Sequence, residues 1–130
     1  DSGLEVDALD GAPGLHSARY SSLSNANDAD RRALLLENLR GHPQPWLSHF
    51  HCTVAIARPE GALSREGDVY GQILPEERGS NGFGYDALFL LPGLGLTMAE
   101  LTNEQKNRLS HRALAVRAAL PTLRRLIRAD

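Results

Sequence analysis

"HFHCTVAIA", residues 49–57, decides how the rest of the chain is read. Aromatic and branched residues crowd this stretch, which predicts a central strand. Period-two alternation then puts His49 and His51 on one face and Cys52 on the other. "GDVYGQIL", residues 67–74, predicts a second strand paired with it, and "ALFLL", residues 87–91, a short strand buried on both faces. Upstream, "LEVDAL", residues 4–9, alternates Leu4, Val6 and Ala8 against Glu5, Asp7 and Leu9 before Asp10-Gly11, so a half-buried strand ending in a turn is expected there.

Helical signals lie on either side of these strands. "DADRRALLLENLR", residues 28–40, places acids in its first turn, gathers Leu35, Leu36 and Leu39 on one side, and meets Gly41 and Pro43 at its end. From Leu109 onward Ala113, Val116, Leu120, Leu123 and Ile127 recur at spacings of three and four, which predicts a second helix with Ser110 as N-cap and a kink at Pro121. "APGLHSARYSSLSNAN", residues 12–27, has no periodicity and reads as a long loop of the kind that carries function. Strands mixed with helices point to an α/β or α+β layered fold, in one domain over residues 1–130.

Composition excludes several function classes. Hydrophobic residues are 42% and charged residues 23%, as in a folded globular domain. A formal net charge of -2 gives no basic footprint for nucleic acid or an anionic membrane. Cys52 is the single cysteine, and no long apolar stretch or leader stands at the start, so the cytoplasm is the expected compartment. Of the 14 basic residues only Lys106 is a lysine, which singles it out.

Four places could carry chemistry. "DSG", residues 1–3, sets the Asp1 carboxylate before two small residues at the head of a strand, suited to Mg²⁺ or a water, though taken alone it favours a plain turn or terminal residue. "GFGYD", residues 82–86, spaces its glycines too closely for a dinucleotide fingerprint; close backbone approach with aromatic stacking competes with a simple Gly-rich hairpin. "KNRLSHRA", residues 106–113, converges cations and a hydroxyl on one helix start, as for an electron-rich ligand, or merely exposes them to solvent. His49 and His51 have a chelating spacing but no third ligand nearby, which favours packed or hydrogen-bonded histidines.

In combination, "DSGLEVDAL", "GAPG", "SARY", "FHC", "NGFGYDALF" and "AELTNEQKNRLSHRA" closely resemble the non-canonical purine nucleoside triphosphate pyrophosphatases, the inosine or xanthosine triphosphatase family, over nearly the whole chain. The resemblance implies a mixed twisted central sheet flanked by helices. It also implies Mg²⁺-dependent cleavage of ITP, dITP or XTP between the α and β phosphates, in a homodimer. By the same resemblance Asp1 is catalytic and holds the metal, and Ser2 and Gly3 lie beside the phosphates. Phe83 stacks on the purine while Gly82 and Gly84 let the backbone approach, and Tyr85 and Asp86 continue that loop. Lys106, Ser110, His111 and Arg112 match the family's Lys and Ser-His-Arg motif.

Two departures stand out. The chain opens at Asp1 rather than Met, without the upstream Asn-rich phosphate loop, its lysine and the metal-binding glutamate that the resemblance implies, so the chain alone is expected to lack part of the machinery. Ala87 stands where the family usually has proline. Two other readings stay open: a pyrophosphatase for other modified nucleotides, and a nucleotide-binding module without turnover.

Overall fold

A computed structural model of the protein describes residues 2–20, 26–57 and 59–109. Five strands form one sheet in the order β1 (Ser2–Val6), β2 (Trp46–Ile56), β3 (Leu63–Ile73), β4 (Phe89–Leu91) and β5 (Leu96–Thr97). Each pairing is antiparallel, so the parallel pairs of a mixed sheet do not occur among the described strands. The class is α+β. Among the described residues two α-helices accompany the sheet, α1 (Asp28–Leu39) and α2 (Asn103–Leu109). Among the described residues no helix is long and apolar enough to cross a membrane.

The centre of the sheet is the long β2–β3 hairpin, and alternation dictates its two faces. Trp46, Phe50 and Cys52 on β2, and Val69 and Ile73 on β3, are buried, as are Leu4 and Val6 on β1. Leu35 and Leu39 of α1 and Phe89, Met98 and Leu101 join the same core, with the Phe50 and Phe89 rings 4.6 Å apart. A Cβ on Gly71 would lie 2.3 Å from the Leu90 carbonyl oxygen and 2.7 Å from the Phe89 ring, so only glycine lets β4 and that ring close over β3.

The opposite face is polar, and it disposes of the histidine pair. His49 Nε2 is 3.0 Å from Glu5 Oε2 on β1, and His51 Nδ1 bonds Asp68 on β3. Each histidine has a carboxylate on the neighbouring strand, and among the described residues no three His, Cys, Asp or Glu side chains could hold a metal. The Asp68 hydrogen bond holds His51 above its ordinary value of 6.5, against a smaller opposing effect of burial, with the Asp68 and Glu66 charges assisting. A raised pKa in the folded state means that the His51 contribution is complete below 6.5 and is lost as pH rises through the folded value. The stability gap between wild type and His51→Gln should therefore narrow on going from mildly acidic to mildly alkaline pH in urea melts. A gap independent of pH would contradict this.

Helix α1 keeps the bounds expected from its sequence within one residue. It starts with a capping box, in which Asp30 N–H donates to Asn27 Oδ1 (2.8 Å) and Asn27 N–H to Asp30 Oδ2 (3.0 Å). Strand β1 differs from expectation: it begins at Ser2 and stops at Val6, and Asp7–Leu9 form a 3-10 turn. The period-two pattern fails at Leu9, which packs on the core, and Asp10 at φ +54° and Gly11 at φ +90° reverse the chain. Val6 N–H then donates to the Ala12 carbonyl. The "ALFLL" strand is shorter than expected, and Leu90 is only half-buried, because Ala87 and Leu88 belong to the preceding turn.

Helix α2, which no sequence signal above marks, starts at Asn103 and is introduced by a reciprocal pair in which Gln105 N–H donates to Thr102 Oγ1 and Thr102 N–H to Gln105 Oε1. Ser110, with the Pro121 kink and the periodic residues beyond it, lies outside the described residues.

Candidate functional site

Residues 81–88 turn the chain between the end of β3 and β4. At the tip Phe83 is 64% exposed, an unusual place for a ring in a chain with three phenylalanines. Asp86, only 6% exposed, folds back beneath it and accepts the Phe83 N–H at 3.0 Å. The same carboxylate oxygen receives the ammonium of Lys106 from α2, and that ammonium lies 4.4 Å from the centre of the Phe83 ring. An exposed aromatic face and the chain's single lysine are thus one unit.

The two glycines flanking Phe83 do different things. Gly82 adopts φ +82°, and a Cβ there would lie 2.2 Å from Asp86 Oδ2 and 2.9 Å from Lys106 Nζ. Its missing side chain makes room for the protein's own ion pair. Gly84, at φ +60°, has nothing within 4 Å of the place a Cβ would take, so space remains open beside it. A cleft of about 250 Å³ runs along this turn, bounded by Asp28, Arg32, Glu77, Asn81, Phe83 and Asp86.

Tyr85 points elsewhere. Its ring is 4% exposed in the core and its hydroxyl donates to the Ser17 carbonyl at 2.7 Å. Burial pushes that phenol well above its usual range, so it stays protonated as a donor. Ser17 also touches the first strand: its Oγ accepts Leu4 N–H at 2.9 Å and donates to the Gly14 carbonyl at 2.6 Å. A Cβ on Gly3 would lie 2.2 Å from that carbonyl, so "SGL" requires glycine there. The start of β1, the 3-10 turn Gly14–Arg19 and the Phe83 turn therefore meet at Ser17.

Of the residues singled out from sequence, Phe83, Gly84, Asp86 and Lys106 come together, and Gly3 is tied to them through Ser17. Ser2 takes its place in β1 opposite Cys52. Asp1, Ser110, His111 and Arg112 lie outside the described residues. Sequence reading passed over Ser17, Asp28 and Arg32. Asp28 Oδ2 accepts Gly84 N–H at 2.8 Å, and Arg32 Nη1 donates to the Gly84 carbonyl at 2.7 Å while its Nε pairs with Glu77 at 3.0 Å. No local signal marks these two, since they lie more than fifty positions from Gly84; their one hint is the i,i+4 spacing that puts both on one side of α1.

Comparison with known proteins gives a consistent result. The profile of the Ham1 family matches residues 1–122. The dITP/XTP pyrophosphatase of Listeria monocytogenes serotype 4b is 52% identical over 119 residues, covering 90% of this chain and 58% of the relative. That of Desulforamulus reducens is 48% identical over 128 residues, covering 97% of this chain and 63% of its own. The solved structure of a HAM1 protein from Coxiella burnetii superposes with a TM-score of 0.89 at 39% identity, over 96% of this chain and 65% of that one. The chain thus spans about three fifths of the length of the curated relatives it matches.

Proposed function

Because this chain belongs to the Ham1 family, we propose that the protein hydrolyses non-canonical purine nucleoside triphosphates such as ITP, dITP and XTP to the monophosphate and pyrophosphate. The observation that carries this reading is the Lys106 ammonium held by Asp86 against an exposed Phe83 ring. A flat base finds a stacking surface and a hydrogen-bond donor side by side. Two relatives described as dITP/XTP pyrophosphatases, at about half identity, support the choice of substrate.

Stacking is indifferent to which base is present, so selectivity has to come from the base edge. Hypoxanthine and xanthine present an acceptor oxygen at position 6, where adenine presents N–H donors. A donor from Lys106, His111 or Arg112 aimed at that oxygen would be satisfied by a keto purine and left unpaired by adenine, a misfit worth roughly 10⁴-fold in polar sites built this way. Asp1 is assigned the activation of the attacking water and the holding of metal, with Ser2 and Gly3 beside the phosphates. A single carboxylate is a donor of the hard-oxygen kind that Mg²⁺ takes together with substrate phosphates. When bound, the ion supplies charge neutralisation on the phosphates; the chain's own groups orient the base and hold the nucleotide. The cytoplasm and a homodimer complete the proposal.

Phe83→Ala should weaken ITP binding by about 1–3 kcal/mol, or about 5- to 150-fold, in calorimetric titration. Because the ring is mostly exposed, the urea midpoint should hardly move. Unchanged affinity for ITP would remove Phe83 from the site and this reading with it.

A further inference from the structure

The Phe83 ring has little packing to aim it, so something else must. Its backbone is pinned on both sides: Phe83 N–H by Asp86, and the next N–H, that of Gly84, by Asp28 Oδ2. The Gly84 carbonyl is taken by Arg32. Asp28 and Arg32 lie one helical turn apart near the start of α1, and together they satisfy both polar groups of Gly84. Each is itself braced, because Asp28 Oδ1 accepts from Arg31 Nη1 at 3.0 Å and the Arg32 side chain, 18% exposed, also pairs with Glu77. With the peptide groups on either side of Phe83 fixed, only the side-chain torsions remain free, and these have few staggered choices.

We propose that Asp28 and Arg32 are positioning residues that grip Gly84 from α1 and so set the direction in which the Phe83 ring meets a purine. Their link to the purine rests on the nucleotide reading above; the grip itself does not. A ring misaligned by a loosened turn offers less stacking area, so the effect should fall on nucleotide affinity, and on KM more than kcat, while the core stays intact.

Amide hydrogen exchange reads the grip directly. In Asp28→Ala and Arg32→Ala, exchange across Phe83–Asp86 should quicken by about tenfold or more, as expected for a lost hydrogen bond to a charged group, with β2 and β3 as protected as before. Asp28→Asn, which keeps an acceptor oxygen, should restore most of the protection at Gly84. ITP affinity should fall severalfold in the two alanine variants and recover in Asp28→Asn. Unchanged exchange at Gly84, or an equal quickening of the strands, would overturn the grip. Faster exchange with unaltered ITP affinity would overturn its role in aiming the ring. If the unaltered protein binds no ITP, the nucleotide reading falls together with that role, while the exchange comparison still decides the grip.

Discussion

Lys106→Ala is expected to destabilise the fold by about 3–5 kcal/mol, the cost of leaving a buried carboxylate without its partner. The side chains of Lys106 and Asp86 are 16% and 8% exposed, so little solvent is on hand to replace the ammonium. Asp86 cannot simply turn outward, because it also caps the Phe83 N–H, and its backbone carbonyl accepts Ala99 N–H at 3.2 Å. The double variant Lys106→Ala/Asp86→Asn removes charge and partner together. It should be less damaged than the two single losses summed, because the residues act as a pair. Urea melts measure this: a single variant within about 0.5 kcal/mol of wild type, the ordinary range of a surface change, would show that the pair contributes little.

Asp1→Asn carries the largest functional effect. A group that moves a proton in the transition state typically contributes about 10²- to 10⁴-fold, and the amide keeps the size of the side chain while removing its basicity. In the protein at the length of its relatives, turnover of ITP should fall by that order and ITP affinity by little. A turnover number unaltered by the change would take Asp1 out of the mechanism. On the proposed function the two variants should separate, Lys106→Ala acting on fold and binding and Asp1→Asn on chemistry.

The contrast between legible and illegible parts of the molecule follows from where the information lies. The β2–β3 hairpin and α1 are written in local periodicity, because their burial is one-sided and repeats every second residue or every turn. The early end of β1 is decided by Leu9 breaking that alternation, a single residue whose weight appears only once the core is formed. The start of α2 has a local signature, Thr102 followed three residues later by Gln105, which the sequence expectations above do not include. At the candidate site, the motif residues Phe83, Asp86 and Lys106 do lie together, but motif membership does not tell an outward-facing side chain from a supporting one. Tyr85 supports: its ring fills the core and its hydroxyl ties the turn to Ser17. The grip of Asp28 and Arg32 on Gly84 joins residues far apart in the chain and exists only in three dimensions.

These placements bear on how the site works. Gly82 admits the Asp86–Lys106 pair, Gly84 is gripped from α1, and Ser17 joins the turn to the strand that follows Asp1. The Phe83 ring, the Lys106 ammonium and strand β1 are therefore parts of one scaffold; on the proposed function, a base held at Phe83 would deliver its phosphates in a set direction. Positioning of that kind, with charge neutralisation, is most of what phosphoryl chemistry asks of a protein.

The most direct measurement is pyrophosphate release from ITP, compared with ATP, by the protein carried to the length of its relatives and supplied with Mg²⁺. Release of pyrophosphate and IMP from ITP in preference to ATP, slowed by about 10²- to 10⁴-fold in Asp1→Asn, is the predicted result. A folded, Mg²⁺-supplied protein that leaves ITP intact would contradict it.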